Sequence, residues 1–175
     1  MANYTVKLVD HTGSPTNLLQ LIQQEVQSLF DEALSATKLT VAVSWGQGAG
    51  TDNYVVHFIE DIPRSYLKTK WPQVVIDPNA GGHTYQNRPP SGSEVYKFPG
   101  TTHTQFKAIA YAKQVLHEFF HNQFPYVVAN EVHGTWGGGG LAAATPVLFQ
   151  PPNRINQRNK ELIERGFKVK IAQLL

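Results

Sequence analysis

The chain has 175 residues, seven histidines, no cysteine and a formal net charge of +2. The lack of cysteine excludes disulfides, thiolate zinc sites and a cysteine nucleophile. With 41% apolar and 16% charged residues the chain is neither disordered nor fibrous. No lysine or arginine run directs it to nucleic acid or an anionic membrane, and no apolar stretch is long enough to span one. The length suits a single domain over residues 1–175, large enough to bury a core without disulfides. The opening Met-Ala-Asn-Tyr-Thr-Val-Lys lacks the basic-then-apolar pattern of a secretory signal.

Residues 5–9 alternate apolar and polar and predict a short strand. Ser14-Pro15 predicts a helix start, with Ser14 as N-cap and Pro15 at the first helical position. Leu18, Ile22, Val26, Leu29, Phe30, Ala33 and Leu34 fall at helical spacing. Gln20, Gln23, Gln24, Gln27, Asp31 and Glu32 occupy the other positions, which predicts an amphipathic helix packed on a sheet. Two β-rich runs follow, Leu39–Trp45 and Tyr54–Ile59, separated by a turn with Gly46, Gly48 and Gly50. That turn is not a phosphate loop, since no Gly-Lys-Ser/Thr follows. Residues 74–76 predict a short strand, the proline- and glycine-bearing stretch 77–90 a loop, and residues 94–98 another strand. A second strong helix is expected from about Thr104 to Gln123, stopped by Pro125. A last helix is expected from Ile155 to Arg165, with Gly166 after its end.

The chemistry lies in His117-Glu118-Phe119-Phe120-His121. Side chains four apart on a helix share a face, so His117 and His121 can both point at one ion. Glu118 sits beside the first ligand and can reach a water bound to that ion. Zinc brings the ionisation of such a water toward neutrality, and Glu118 can take its proton as general base and pass it to the leaving amine. Phe119 and Phe120 suit a helix packed into the core. A catalytic zinc needs a third protein ligand. His133 is the first candidate, twelve residues beyond His121 and directly before Gly134. Glu131 is its rival, either as the ligand or as an acceptor that orients His133. His57, within a strand, reads as packed or paired across strands. His11, His83 and His103 read as solvated loop residues, with Gly81-Gly82-His83-Thr84 the segment most apt to border a cleft.

On His117, Glu118 and His121 the chain resembles the zincin superfamily of metallopeptidases. The order of its elements resembles a small, divergent metzincin-like member. It departs from the metzincin pattern at Phe124 and Val127, where glycine and a third histidine stand, and Met1 is its only methionine, so a methionine turn is absent or replaced. Ala143-Ala144-Thr145-Pro146 is the candidate replacement. The resemblance implies an α+β fold of zincin type, with a twisted mixed sheet, a backing helix and the motif helix. It implies a zinc-dependent endopeptidase, a monomer acting on a peptide or protein substrate, with neither nucleic acid nor membrane as partner. The substrate would add a strand to a sheet edge, for which residues 94–98 are the candidate. Tyr85, Tyr96 and Tyr126 are the candidates to support the oxyanion. A catalytically inactive zinc-binding or toxin-like interaction module is the alternative. A peptide deformylase would need a cysteine ligand, and a di-iron carboxylate protein a second Glu-x-x-His; neither is present.

Overall fold

The computed structural model describes residues 2–35, 37, 39–47, 52–78, 80–85, 92–97 and 104–123. Within these, strand β1 (Ala2–Asp10) leads into helix α1 (Thr16–Ala33), then strands β2 (Leu39–Trp45) and β3 (Tyr54–Ile59). A 3-10 turn at Ile62–Arg64 and the short helix α2 (Tyr66–Lys70) precede β4 (Gly82–Tyr85), β5 (Gly92–Tyr96) and helix α3 (Thr104–Gln123). The five strands form one mixed sheet in the order β2-β1-β3-β5-β4. β1 runs parallel to both β2 and β3, β3 parallel to β5, and β4 antiparallel to β5. The α+β architecture expected from the sequence is thus observed.

Alternation along the strands separates two faces. One presents Tyr4, Val6, Leu8, Val43, Tyr54, Val56, Phe58 and Val95 to α1 and α3, and all of these are buried in the main core. α1 supplies Leu18, Ile22, Val26, Leu29, Phe30 and Ala33 to it, as the helical spacing predicts. The opposite face carries a smaller cluster of Ile59, Ile76 and Tyr96. It also carries Glu94, fully buried, whose carboxylate accepts hydrogen bonds from the Ser65 hydroxyl and, at 2.9 Å, the Leu67 N–H. Burial raises the Glu94 carboxyl above its ordinary range, and these hydrogen bonds partly offset the rise.

Several local expectations are corrected. Ser14 does not cap α1. The residue before the helix is Pro15, with no side-chain cap, because the Ser14 hydroxyl is engaged 2.6 Å from Thr12 Oγ1, which in turn donates to Asp10 Oδ1. Residues 74–76 form no strand: Val74 N–H closes a turn onto Trp71 O, and Val75 is 90% exposed. The stretch 77–90 is not all loop, since β4 lies within it. The strand expected over 94–98 is β5, Gly92–Tyr96, and it is interior, flanked by β3 and β4. Among the described residues the sheet's edges are therefore β2 and β4.

Candidate active site

α3 runs over Thr104–Gln123, as its spacing predicts. One side is anchored by Ala108, Tyr111, Ala112, Val115, Leu116, Phe119 and Phe120, all buried. Phe119 meets Phe30, Tyr54 and Tyr4 edge-on, with ring centroids 4.9, 5.5 and 6.1 Å away. Such edge-to-face packing favours one ring orientation, and it fixes the rotation of α3 about its axis. Glu118 is thereby placed against β4. His117 and His121 lie half-buried one turn apart, their Nε2 atoms 3.2 Å from each other. Two ligands about 2.1 Å from a tetrahedral zinc would stand roughly 3.4 Å apart, so the pair fits one ion with little adjustment.

Glu118 is 3% exposed. Thr84 on β4 donates to its Oε2 at 2.5 Å, and Gln114, one turn earlier on α3, donates to its Oε1 at 3.0 Å. Burial pushes the carboxyl up to about 7, against the opposing effect of the two hydrogen bonds. Glycine at position 82 permits this approach. A Cβ there would stand 2.8 Å from Glu118 Oε1 and 2.8 Å from the Glu94 carbonyl oxygen.

The structure thus brings His117 and His121 together one turn apart on α3, and packs Glu118 and Gln114 of the same helix against the Gly81–Thr84 segment. Among the described residues no group of three or more histidine, aspartate or glutamate side chains is placed to hold a metal. His133 and Glu131 lie outside the described residues, as do Phe124, Val127, residues 143–146, Tyr126, His103 and the expected helix 155–165. Tyr96 is a poor oxyanion candidate, because it packs in the small cluster on the sheet face away from α3. The contribution of Thr84, Ser93 and Gln114 was not foreseen. Gln114 was findable, since it stands four residues before Glu118 on the motif helix; Ser93 gave no signal.

A second histidine group lies on the opposite face. His57 Nδ1 and His11 Nε2 are 2.9 Å apart, and Tyr66 of α2 stacks on both rings, with centroids at 4.9 and 5.4 Å. His57 is paired, as expected. His11 is exposed, as a loop residue should be, but is bonded rather than merely solvated. His83 does not lie in a loop: it is on β4, opposite Glu94 of β5.

No protein-family model matches the sequence, and no curated protein matches it. Solved structures do. Myroilysin aligns over 69% of this chain and 46% of its own, at 18% identity and a TM-score of 0.37. The archaemetzincin of Methanopyrus kandleri aligns over 95% of this chain and 96% of its own, at 13% identity and a TM-score of 0.59. Over almost its whole length, therefore, the chain has a fold similar to that of archaemetzincin.

Proposed function

We propose that the chain is a zinc-dependent endopeptidase. The observation that carries this reading is the convergence of the His117 and His121 Nε2 atoms at 3.2 Å beside a glutamate on the same helix. The archaemetzincin-like fold supports it, since the sequence motif resembles that of the zincin superfamily and the order of elements resembles its metzincin side. His117 and His121 would hold the ion, with His133 as third ligand and Glu131 as its rival. When bound, zinc acts as a Lewis acid that eases the ionisation of water and polarises a carbonyl. Glu118 would take the proton of the attacking water and return it to the departing amine. The peptide would lie along β4, which replaces residues 94–98 as the candidate edge.

The test is zinc content and cleavage of a broad peptide library by the full chain. About one zinc per chain is expected, with cleavage abolished by a chelator and restored by zinc. Glu118→Gln should keep its zinc and lose roughly 100-fold or more in kcat. Absence of zinc after reconstitution at neutral pH would overturn the reading. One zinc per chain with no cleavage would instead favour the inactive zinc-binding module.

A further inference from the structure

A chain of hydroxyls runs from buried Tyr54 and Ser93 through half-buried Thr84 to Glu118. Tyr54 of β3 donates to Ser93 Oγ of β5 at 2.8 Å; Ser93 Oγ lies 2.9 Å from Thr84 Oγ1 of β4; Thr84 donates to Glu118 Oε2 at 2.5 Å. Tyr54 and Ser93 are at most 1% exposed. A hydroxyl has one hydrogen to give, and a carboxylate can only accept. Thr84 Oγ1 also lies 3.1 Å from the Glu118 carbonyl oxygen, a longer contact than that to Oε2; with either acceptor its hydrogen goes to Glu118, so it must accept from Ser93, and Ser93 must accept from Tyr54. Glu118, through its carboxylate and its carbonyl oxygen, therefore sets the direction of every bond in the chain.

Stability alone does not call for this arrangement. Phenylalanine and alanine at positions 54 and 93 would fill similar space without burying two hydroxyls, which are costly unless fully bonded. The chain's terminus is Glu118. The backbone makes room for the same contact: a Cβ on Gly82 would strike Glu118, and one on Gly81 would stand 2.9 Å from Gln114 Oε1. Gly82, where a Cβ would also stand 2.8 Å from the Glu94 carbonyl oxygen, lets β4 close onto the side of α3 that carries Gln114 and Glu118.

We infer that Thr84, its hydroxyl oriented by Ser93 and Tyr54, is a positioning residue that fixes the Glu118 carboxylate, with Gln114 holding the other oxygen. The inference rests on the peptidase reading for its catalytic consequence, but its structural content stands apart from it. Fixing both oxygens removes the rotations that a glutamate side chain otherwise samples. That saves the cost of orienting the base each time a substrate binds.

The test uses the zinc-loaded full chain. Thr84→Val, which keeps the shape and removes the hydroxyl, should lower kcat by about 10- to 100-fold, with KM and zinc content near wild type. Thr84→Ser should restore most of the loss. Tyr54→Phe, distant from the zinc ligands in sequence and conservative in volume, should lower kcat by a smaller factor with KM unchanged, and it decides the matter should Thr84→Val not fold. Crystal structures of wild type and variant supply the second readout: the carboxylate stays on Thr84 in the wild type and leaves that position in Thr84→Val. Wild-type kcat in the variants, or equal loss in Thr84→Val and Thr84→Ser, would overturn the inference while leaving the peptidase reading intact. If the wild type cleaves no peptide, the peptidase reading falls. Displacement of Glu118 in Thr84→Val would then still sustain the positioning role, and an unmoved carboxylate would overturn it.

Discussion

His57 shows how one residue links the fold to pH. It stands on β3 with His11 bonded to its ring, Tyr66 stacked on it and the Lys70 ammonium nearby. On β5 its neighbour is Glu94, which is engaged with Ser65 and Leu67, and on β1 it faces Val9. Burial, then His11, then Lys70 lower its pKa from 6.5 to about 4. A histidine depressed on folding binds its proton more readily in the unfolded chain. Stability from this group is therefore full above pH 6.5 and is lost as pH falls toward 4. Between neutrality and pH 5 the loss should be on the order of 2 kcal/mol. His57→Asn should flatten that part of the stability curve relative to wild type, as read by urea unfolding at pH 7 and pH 5. Parallel curves for the two proteins would show that His57 does not carry the acid sensitivity. The sequence identified His57 as a paired strand residue because its flanking Val55, Val56, Phe58 and Ile59 mark a strand. Its partner could not be named, since His11 is 46 residues away and is brought close only by the parallel pairing of β1 and β3.

At the scale of elements, α1 both backs the sheet and closes one of its edges. Gln27 donates to Val41 O at 3.1 Å and accepts from Val43 N–H at 3.0 Å, and Gln23 donates to Val43 O at 3.1 Å. Their amides stand where a further strand's backbone would, which protects β2 from pairing with another chain. Gln27→Met keeps the bulk and removes both partners. It should cost about 1–3 kcal/mol in unfolding free energy through the stranded Val43 N–H and Val41 C=O, measurable by chemical denaturation. A loss below about 0.5 kcal/mol would mean water replaces the amide without penalty. The helices were legible because their apolar spacing is local: α3 coincides with its expected bounds, and the α1 stripe is buried as read. β4 was not legible. Gly82-His83-Thr84-Tyr85 has no apolar alternation, and its two strand formers, Thr84 and Tyr85, follow a pair of glycines in a stretch rich in turn residues; it pairs as a strand with β5. The same non-local cause hid Thr84. The cleft-bordering character of its segment could be read, whereas its contact with Glu118 needs β4 and α3 to be packed together.

Across the whole molecule the two edges of the sheet are unlike, and the difference bears on how a peptide would be held. β2 is closed by the glutamines of α1, whereas among the described residues no strand flanks β4 on its outer side. The Tyr96 N–H donates to Gly81 O at 3.0 Å, which makes Gly81 and Tyr96 a hydrogen-bonded pair of the antiparallel ladder. Bonded and non-bonded pairs alternate along such a ladder. His83, opposite Glu94, is therefore bonded inward, while the backbone groups of Gly82 and Thr84 point outward. These are the residues that touch Glu118 or would strike it if enlarged, so the outward groups lie next to the proposed base. A peptide docked there would find partners at every second residue. Replacing single amide N–H groups of a cleaved peptide by N-methyl should consequently show a period of two. Methylation of residues that bond β4 should lower kcat/KM by about fivefold or more for each hydrogen bond lost, and methylation of the intervening residues should have a much smaller effect. Equal sensitivity at successive positions would rule out strand addition to β4 and place the substrate elsewhere on the site.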